Sequence, residues 1–127
     1  MLFIISMSSS KSKLEIGVRH MKTFKVWVDD LRIPPSDANV WVRSVEEARV
    51  VIYMYEKQYN YDTILLDLDH DAGDFASDGG DYINILNWLE ESGLVDTGYS
   101  FRLHSMNPVG VQNMRAIIQK NNWKEVK

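Results

Sequence analysis

Asp67, Asp69, His70 and Asp71 crowd into the segment DLDHD, and the chain carries two further pairs of chemically capable residues, Asp29-Asp30 and His104-Ser105. Carboxylates at this density suit a hard divalent cation such as Mg²⁺ or Mn²⁺, which takes oxygen ligands and keeps several waters. Asp29, Asp30, Asp67 and Asp69 are the candidate ligands. Imidazoles titrate near neutral pH, so His70 and His104 are expected to act as general base and general acid on opposite sides of a phosphorus centre. Asp69 and Asp71 stand beside them as further catalytic candidates. Ser105 and the amides opening a helix at Asn107 are expected to hold a phosphate oxygen, with Arg32, Arg43 and Arg102 as candidate phosphate partners. Each residue has a plainer role available. A lone DD is usually a solvated turn, a loop histidine usually donates to backbone, and an arginine is usually solvated. What favours chemistry is that the histidine and acidic segments each close an apolar run.

Asp67, Asp69 and Asp71 alternate, which raises a calcium-loop pattern. It fails because the turn glycine is replaced by Ala72, the closing glutamate by Asp78, and the preceding segment reads as a strand where a helix is needed. Alternation places Asp67 on the same side as Asp69 while the strand persists. Either could be the central carboxylate. Asp74, Asp78 and Asp81 are expected to be solvated loop and helix-start charges.

Three strand ends must bring these residues together. Thr63-Ile64-Leu65-Leu66 is an apolar run too short for a helix and is expected to be a buried strand emptying into the acidic, glycine-rich loop. Phe24 to Val28 alternates into Asp29-Asp30, and a strand over about 99–104 ends at His104. Pro34-Pro35 forbids a helix after the first of these and imposes an extended loop before a short strand at Val40–Val42. Ser44 and Glu47 form a capping box for a helix reaching about Gln58. A second helix is expected from about Gly80 to Glu91. A third is expected from Asn107-Pro108, with Asn as N-cap and Pro at its first position, to about Lys120. Trp123 to Val126 is a candidate edge strand, and the four tryptophans are expected to pack in the core. The order β-β-α-β-α-β-α-(β) predicts an α/β fold with a mainly parallel sheet, whose chemistry lies beyond the carboxyl ends of its strands.

The chain has 127 residues, 45% apolar and 25% charged, which suits one domain with a single core. Residues 1–21, with the Ser/Lys run, read as a flexible lead-in, and 22–127 as the folded domain. The absence of cysteine excludes a disulfide framework and a thiolate metal site and fits a reducing, cytoplasmic location. A net charge of -4 without a basic block argues against long nucleic acid held by its phosphates. No apolar run reaches the ~18 residues of a membrane span, and no signal peptide is expected.

VWVDDLRIPP, the LDHD-x-G segment, GGDYINILNWLEE and LHSMNPVGVQNM together resemble the cyclic-phosphate processing receiver domain family, over about Lys22 to Gln119. The resemblance implies a three-layer, receiver-like (flavodoxin-like) sheet of four or five strands with its first helix replaced by a loop. It also implies hydrolysis or sensing of a cyclic phosphate on a nucleotide or RNA end. Asp29 and Asp30 correspond to the acidic pair of receivers, and Asp69 lies near the phosphoacceptor position, with Asp67 as its rival. His70, Asp71, His104, Ser105 and Asn107 match the family's own additions. No lysine follows an apolar fifth strand, where receivers need one. That departure disfavours phosphorelay signalling, and leaves a phosphoesterase or a non-enzymatic module that binds a nucleotide or a partner protein.

Overall fold

The computed structural model describes residues 3–4, 21–58 and 60–127. Its elements run β1 (Phe3–Ile4), β2 (Thr23–Val28), β3 (Val40–Val42), α1 (Val45–Lys57), β4 (Thr63–Leu68), a 3-10 turn (Gly73–Ser77), α2 (Ile83–Ser92), β5 (Tyr99–Leu103) and α3 (Pro108–Lys120). One five-stranded sheet has the order β1-β3-β2-β4-β5. β3, β2, β4 and β5 are mutually parallel, and β1 joins β3 antiparallel. The receiver-like α/β fold expected from the sequence is therefore present, with a helix-free connection between β2 and β3. Apart from β1 and Met21, the expected lead-in lies outside the described residues.

Registration assigns each strand residue to a face. Phe24, Val26 and Val28 align with Ile64, Leu66 and Leu68, and these with Tyr99 and Phe101. The buried residues of all three helices join this face in one apolar cluster, among them Ile52, Leu86, Leu89 and Met114. Topology accounts for this. The crossovers carrying α1, α2 and α3 run in the same direction across the sheet, and right-handed connections then put their helices on the same side. The β2–β3 connection runs the other way, so its missing helix would have covered the opposite face. That second face carries Lys25, Trp27, Leu65, Asp67, Ser100 and Arg102. Pro35 and Ala38 of the β2–β3 loop close a small pocket over it, so a loop stands where a helical layer would be.

Local chemistry sets the element ends. Ser44 Oγ accepts from the Glu47 amide while the Glu47 carboxylate accepts from the Arg43 amide, which is the expected capping interaction shifted by one residue on its return arm. Asn107 caps α3 by accepting from the Gly110 amide. The second helix starts at Ile83, three residues later than expected. Gly79 and Gly80 hold φ of 110° and 87°, the Tyr82 amide donates to the His70 carbonyl, and Asp81 accepts from the Ala72 amide. These residues belong to the acidic loop before they can belong to a helix. The anticipated final strand is reduced to one parallel bridge, Phe101 to Glu125, with Trp123 stacked on Phe101.

Candidate functional site

The carboxyl ends of β2, β4 and β5 meet at one rim, as their parallel pairing requires. Asp29, Asp30 and Asp69 each place a carboxylate oxygen within 4.8 Å of the others. Asp29 is 1% exposed and committed on both oxygens. Its Oδ1 accepts from the Leu31 and Arg32 amides at 2.9 Å each, and its Oδ2 meets His104 Nε2 at 2.8 Å. Asp69 accepts the His70 amide on Oδ1. Burial raises the pKa of Asp30. A backbone N–H pulls it back, and the negative charges of Asp29 and Asp69 push it up again, so the net shift is upward. Gly73, at φ 54°, lies so close that a Cβ there would collide with Asp30 Oδ2. Three hard oxygen donors whose mutual repulsion is felt by Asp30 fit a divalent cation such as Mg²⁺ or Mn²⁺.

Asp67, expected with this set, is elsewhere. β4 ends at Leu68, so the alternation linking Asp67 to Asp69 stops before it reaches Asp69. Asp67 stays on the second sheet face, aligned with Trp27 and Arg102. There it holds His104 Nδ1 at 2.7 Å and Arg102 at 3.4 Å. The alternation that places Arg102 and His104 on one face is thus met at Asp67.

The two histidines have different surroundings. His104 is gripped at both nitrogens, by Asp67 and Asp29, and its ring lies parallel to Trp27 with centroids 3.9 Å apart. Burial lowers its pKa, but the bonds to Asp67 and Asp29 outweigh that and raise it overall. His70 lies just beyond β4, its side chain 14% exposed, with Nδ1 at 2.8 Å from Asp71 Oδ1. Its ring rests against Gly110 of α3, where a Cβ would collide with it. The Asn107 side-chain amide approaches Asp71 Oδ1 at 3.4 Å and His70 Nδ1 at 3.5 Å. His70, Asp71 and Asp81 form a second grouping able to ligate a metal. The Asp29–Asp69 cluster links both histidine neighbourhoods, because His104 touches Asp29 and the His70 amide touches Asp69.

The remaining candidates have structural partners. Arg32 Nη1 donates to the His104 carbonyl at 2.8 Å, tying the β2–β3 loop to the end of β5. Ser105 Oγ accepts from the Asn107 amide, and the Arg43 guanidinium lies 4.0 Å over the Trp41 ring. Asp78, expected to be merely solvated, accepts from Ser44 Oγ at 2.7 Å, and Asp81 is likewise engaged by Ala72. Trp27 and Tyr82 were not among the sequence candidates. Trp27 supports His104 and donates from Nε1 to the Arg32 carbonyl. Its position two residues before Asp29 on an alternating strand was the available signal. Tyr82 donates to the Arg43 carbonyl, and burial with the nearby Asp30, Asp29 and Asp69 charges keeps its phenol protonated.

Four parallel strands flanked by three helices, with an acidic cluster beyond the strand ends, fit a receiver-like α/β domain. The chain belongs to the cyclic-phosphate processing receiver domain family, whose model matches residues 24–120. Comparison with curated proteins and with solved structures gave no match. No helix among the described residues is long and apolar enough to cross a membrane.

Proposed function

We propose that this domain hydrolyses a cyclic phosphate on a nucleotide or RNA end. The observation that carries the proposal is the His70–Asp71 pair beside the Asp29/Asp30/Asp69 cluster, in a chain of a cyclic-phosphate processing family. With Nδ1 engaged by Asp71, His70 offers Nε2 to a water. As the water oxygen bonds to phosphorus, its proton passes to Nε2 and one of the two ring P–O bonds breaks. The freed ribose oxygen takes a proton from solvent, His70 returns its own to solvent, and a phosphomonoester remains. Asp71 orients the ring and stabilises the imidazolium, as an acid paired with a catalytic histidine does. Asp30 and Asp69 have the freer oxygens and would hold a divalent ion, with Asp29 fixed behind them by His104. When bound, that ion would offset charge on the phosphoryl oxygens.

The test is release of monophosphate from 2′,3′-cyclic nucleotides by the purified protein with Mg²⁺ or Mn²⁺, followed by ³¹P NMR. His70→Asn should lower kcat by on the order of 100-fold or more. Undiminished turnover in that variant would reject the assignment. A second, non-enzymatic reading is favoured by His104, whose two committed nitrogens leave His70 as the candidate to move protons among the described histidines. Thermal stabilisation by cyclic nucleotides without any turnover would select it.

A further inference from the structure

The apolar side chains standing most open on the described surface belong to the two strand-end loops of the site and the first turn of α3. Leu31 and Ile33, 80% and 82% exposed, follow Asp29-Asp30, while Met106 and Val109, 82% and 66% exposed, follow His104-Ser105. Two contacts fasten these loops together, Arg32 to the His104 carbonyl and Asp29 to the His104 ring. These contacts join the two segments beside the acidic cluster, and the four large apolar residues lie within five positions of the contacting residues. Exposed apolar groups gathered in this way mark binding surfaces more often than scattered ones do.

From this coincidence we infer that the rim seats the nucleoside of a free cyclic mononucleotide, while its phosphate meets the carboxylate and histidine site. The inference rests on the function proposed above and narrows its substrate. A nucleobase is a flat body with apolar faces, and branched and thioether side chains cover such faces without needing a polar partner. A free mononucleotide is favoured over an RNA end by charge. The chain carries a net -4 with no basic block, so each additional phosphate of a polymer would meet repulsion without a counter-charge.

The test compares three ligands on the full chain with Mg²⁺, with Kd measured by ligand-observed NMR before appreciable hydrolysis. They are 2′,3′-cyclic AMP, the baseless ring ethylene phosphate, and an octaribonucleotide ending in a 2′,3′-cyclic phosphate. The expected result is that wild type prefers the mononucleotide over ethylene phosphate by about tenfold or more. The variant Leu31→Ser/Met106→Ser, whose changes are at exposed positions, should fold with an unaltered melting temperature and lose most of that preference. The octaribonucleotide should bind no more tightly than the mononucleotide. Ethylene phosphate binding with the same preference in both proteins would overturn the nucleoside seat and leave the phosphate site standing. Tighter binding of the octaribonucleotide would overturn the choice of a free nucleotide. A wild-type dimer that the serine variant turns into a monomer would assign the rim to a second copy. Failure of all three ligands to bind the folded protein would overturn this inference and the proposed function together.

Discussion

His104 and His70 carry the same ring into different chemistry. His104 is held between two carboxylates and against an indole, an arrangement that fixes its orientation and keeps Asp29 in place. His70 has its Nδ1 engaged by Asp71 and Asn107, and in the proposed reaction it works through Nε2. Metal binding should separate the carboxylates in the same way. Asp30→Asn and Asp69→Asn should each weaken Mn²⁺ binding, measured by electron paramagnetic resonance, by at least the roughly tenfold that outer-shell losses cost. Asp67→Asn should retain Mn²⁺ but lose about 1–3 kcal/mol of stability, because its His104 and Arg102 partners are left partly unpaired. Equal Mn²⁺ loss in Asp67→Asn would show that it ligates after all. Gly110 offers a finer probe. Alanine is favoured over glycine in a helix by about 1 kcal/mol, yet here its methyl would strike the His70 ring. Gly110→Ala should therefore reduce turnover of a cyclic nucleotide sharply and also lower the melting temperature, since the nearest atom is Cγ at the root of the ring and the whole side chain must shift.

Among the elements, α3 joins stability to the site most directly. Asn107 both caps this helix and reaches Asp71 and His70. Asn107→Ala should cost about 1 kcal/mol through the lost cap and also impair turnover. Asn107→Ser restores a capping oxygen with no amide to reach His70, so thermal melts should recover while activity does not. Recovery of both would reduce Asn107 to a cap alone. Caps of this kind were legible in the sequence because their signals lie within three residues of the cap, as Ser44 with Glu47 and Asn107 with Pro108 show. The strands β2 to β5 were legible from their apolar runs, including the one that empties at Asp69, whereas β1 lies in the stretch expected to be a flexible lead-in. The sorting of Asp67 from Asp69 was not, since it depends on β4 ending at Leu68. Nor was the grip on His104, whose partners Asp29 and Asp67 are brought to it by strand pairing across 75 and 37 residues. The late start of α2 followed from hydrogen bonds between its first residues and the acidic loop, which helical periodicity does not register.

At the scale of the whole molecule, the sheet's far edge is closed by the C-terminal segment. The Phe101 amide donates to the Lys124 carbonyl, the Val126 amide donates to the Phe101 carbonyl, and Arg115 of α3 holds Glu125 through two nitrogens. The hydrogen bond from Arg115 lowers the Glu125 pKa, with burial opposing it. A carboxyl whose folded pKa is depressed adds stability above its unfolded value and loses it as pH falls through the folded one. Stability from this pair should therefore be intact at neutral pH and fade below about pH 4.5, the ordinary glutamate range. Glu125→Gln should lower the melting temperature by a few degrees at pH 7, with the difference from wild type shrinking toward pH 3. A difference independent of pH would remove the ion pair as its cause. The acidic loop is anchored just as firmly at its other end. Asp78 accepts from Ser44 Oγ through its side chain and from the Glu46 amide through its carbonyl, at the first turn of α1. A lid that swung shut over an arriving molecule would have to unfasten that helix's own cap. The acidic loop is consequently tied to α1 at this end, and a molecule bound as proposed would have to fit the loop as it stands.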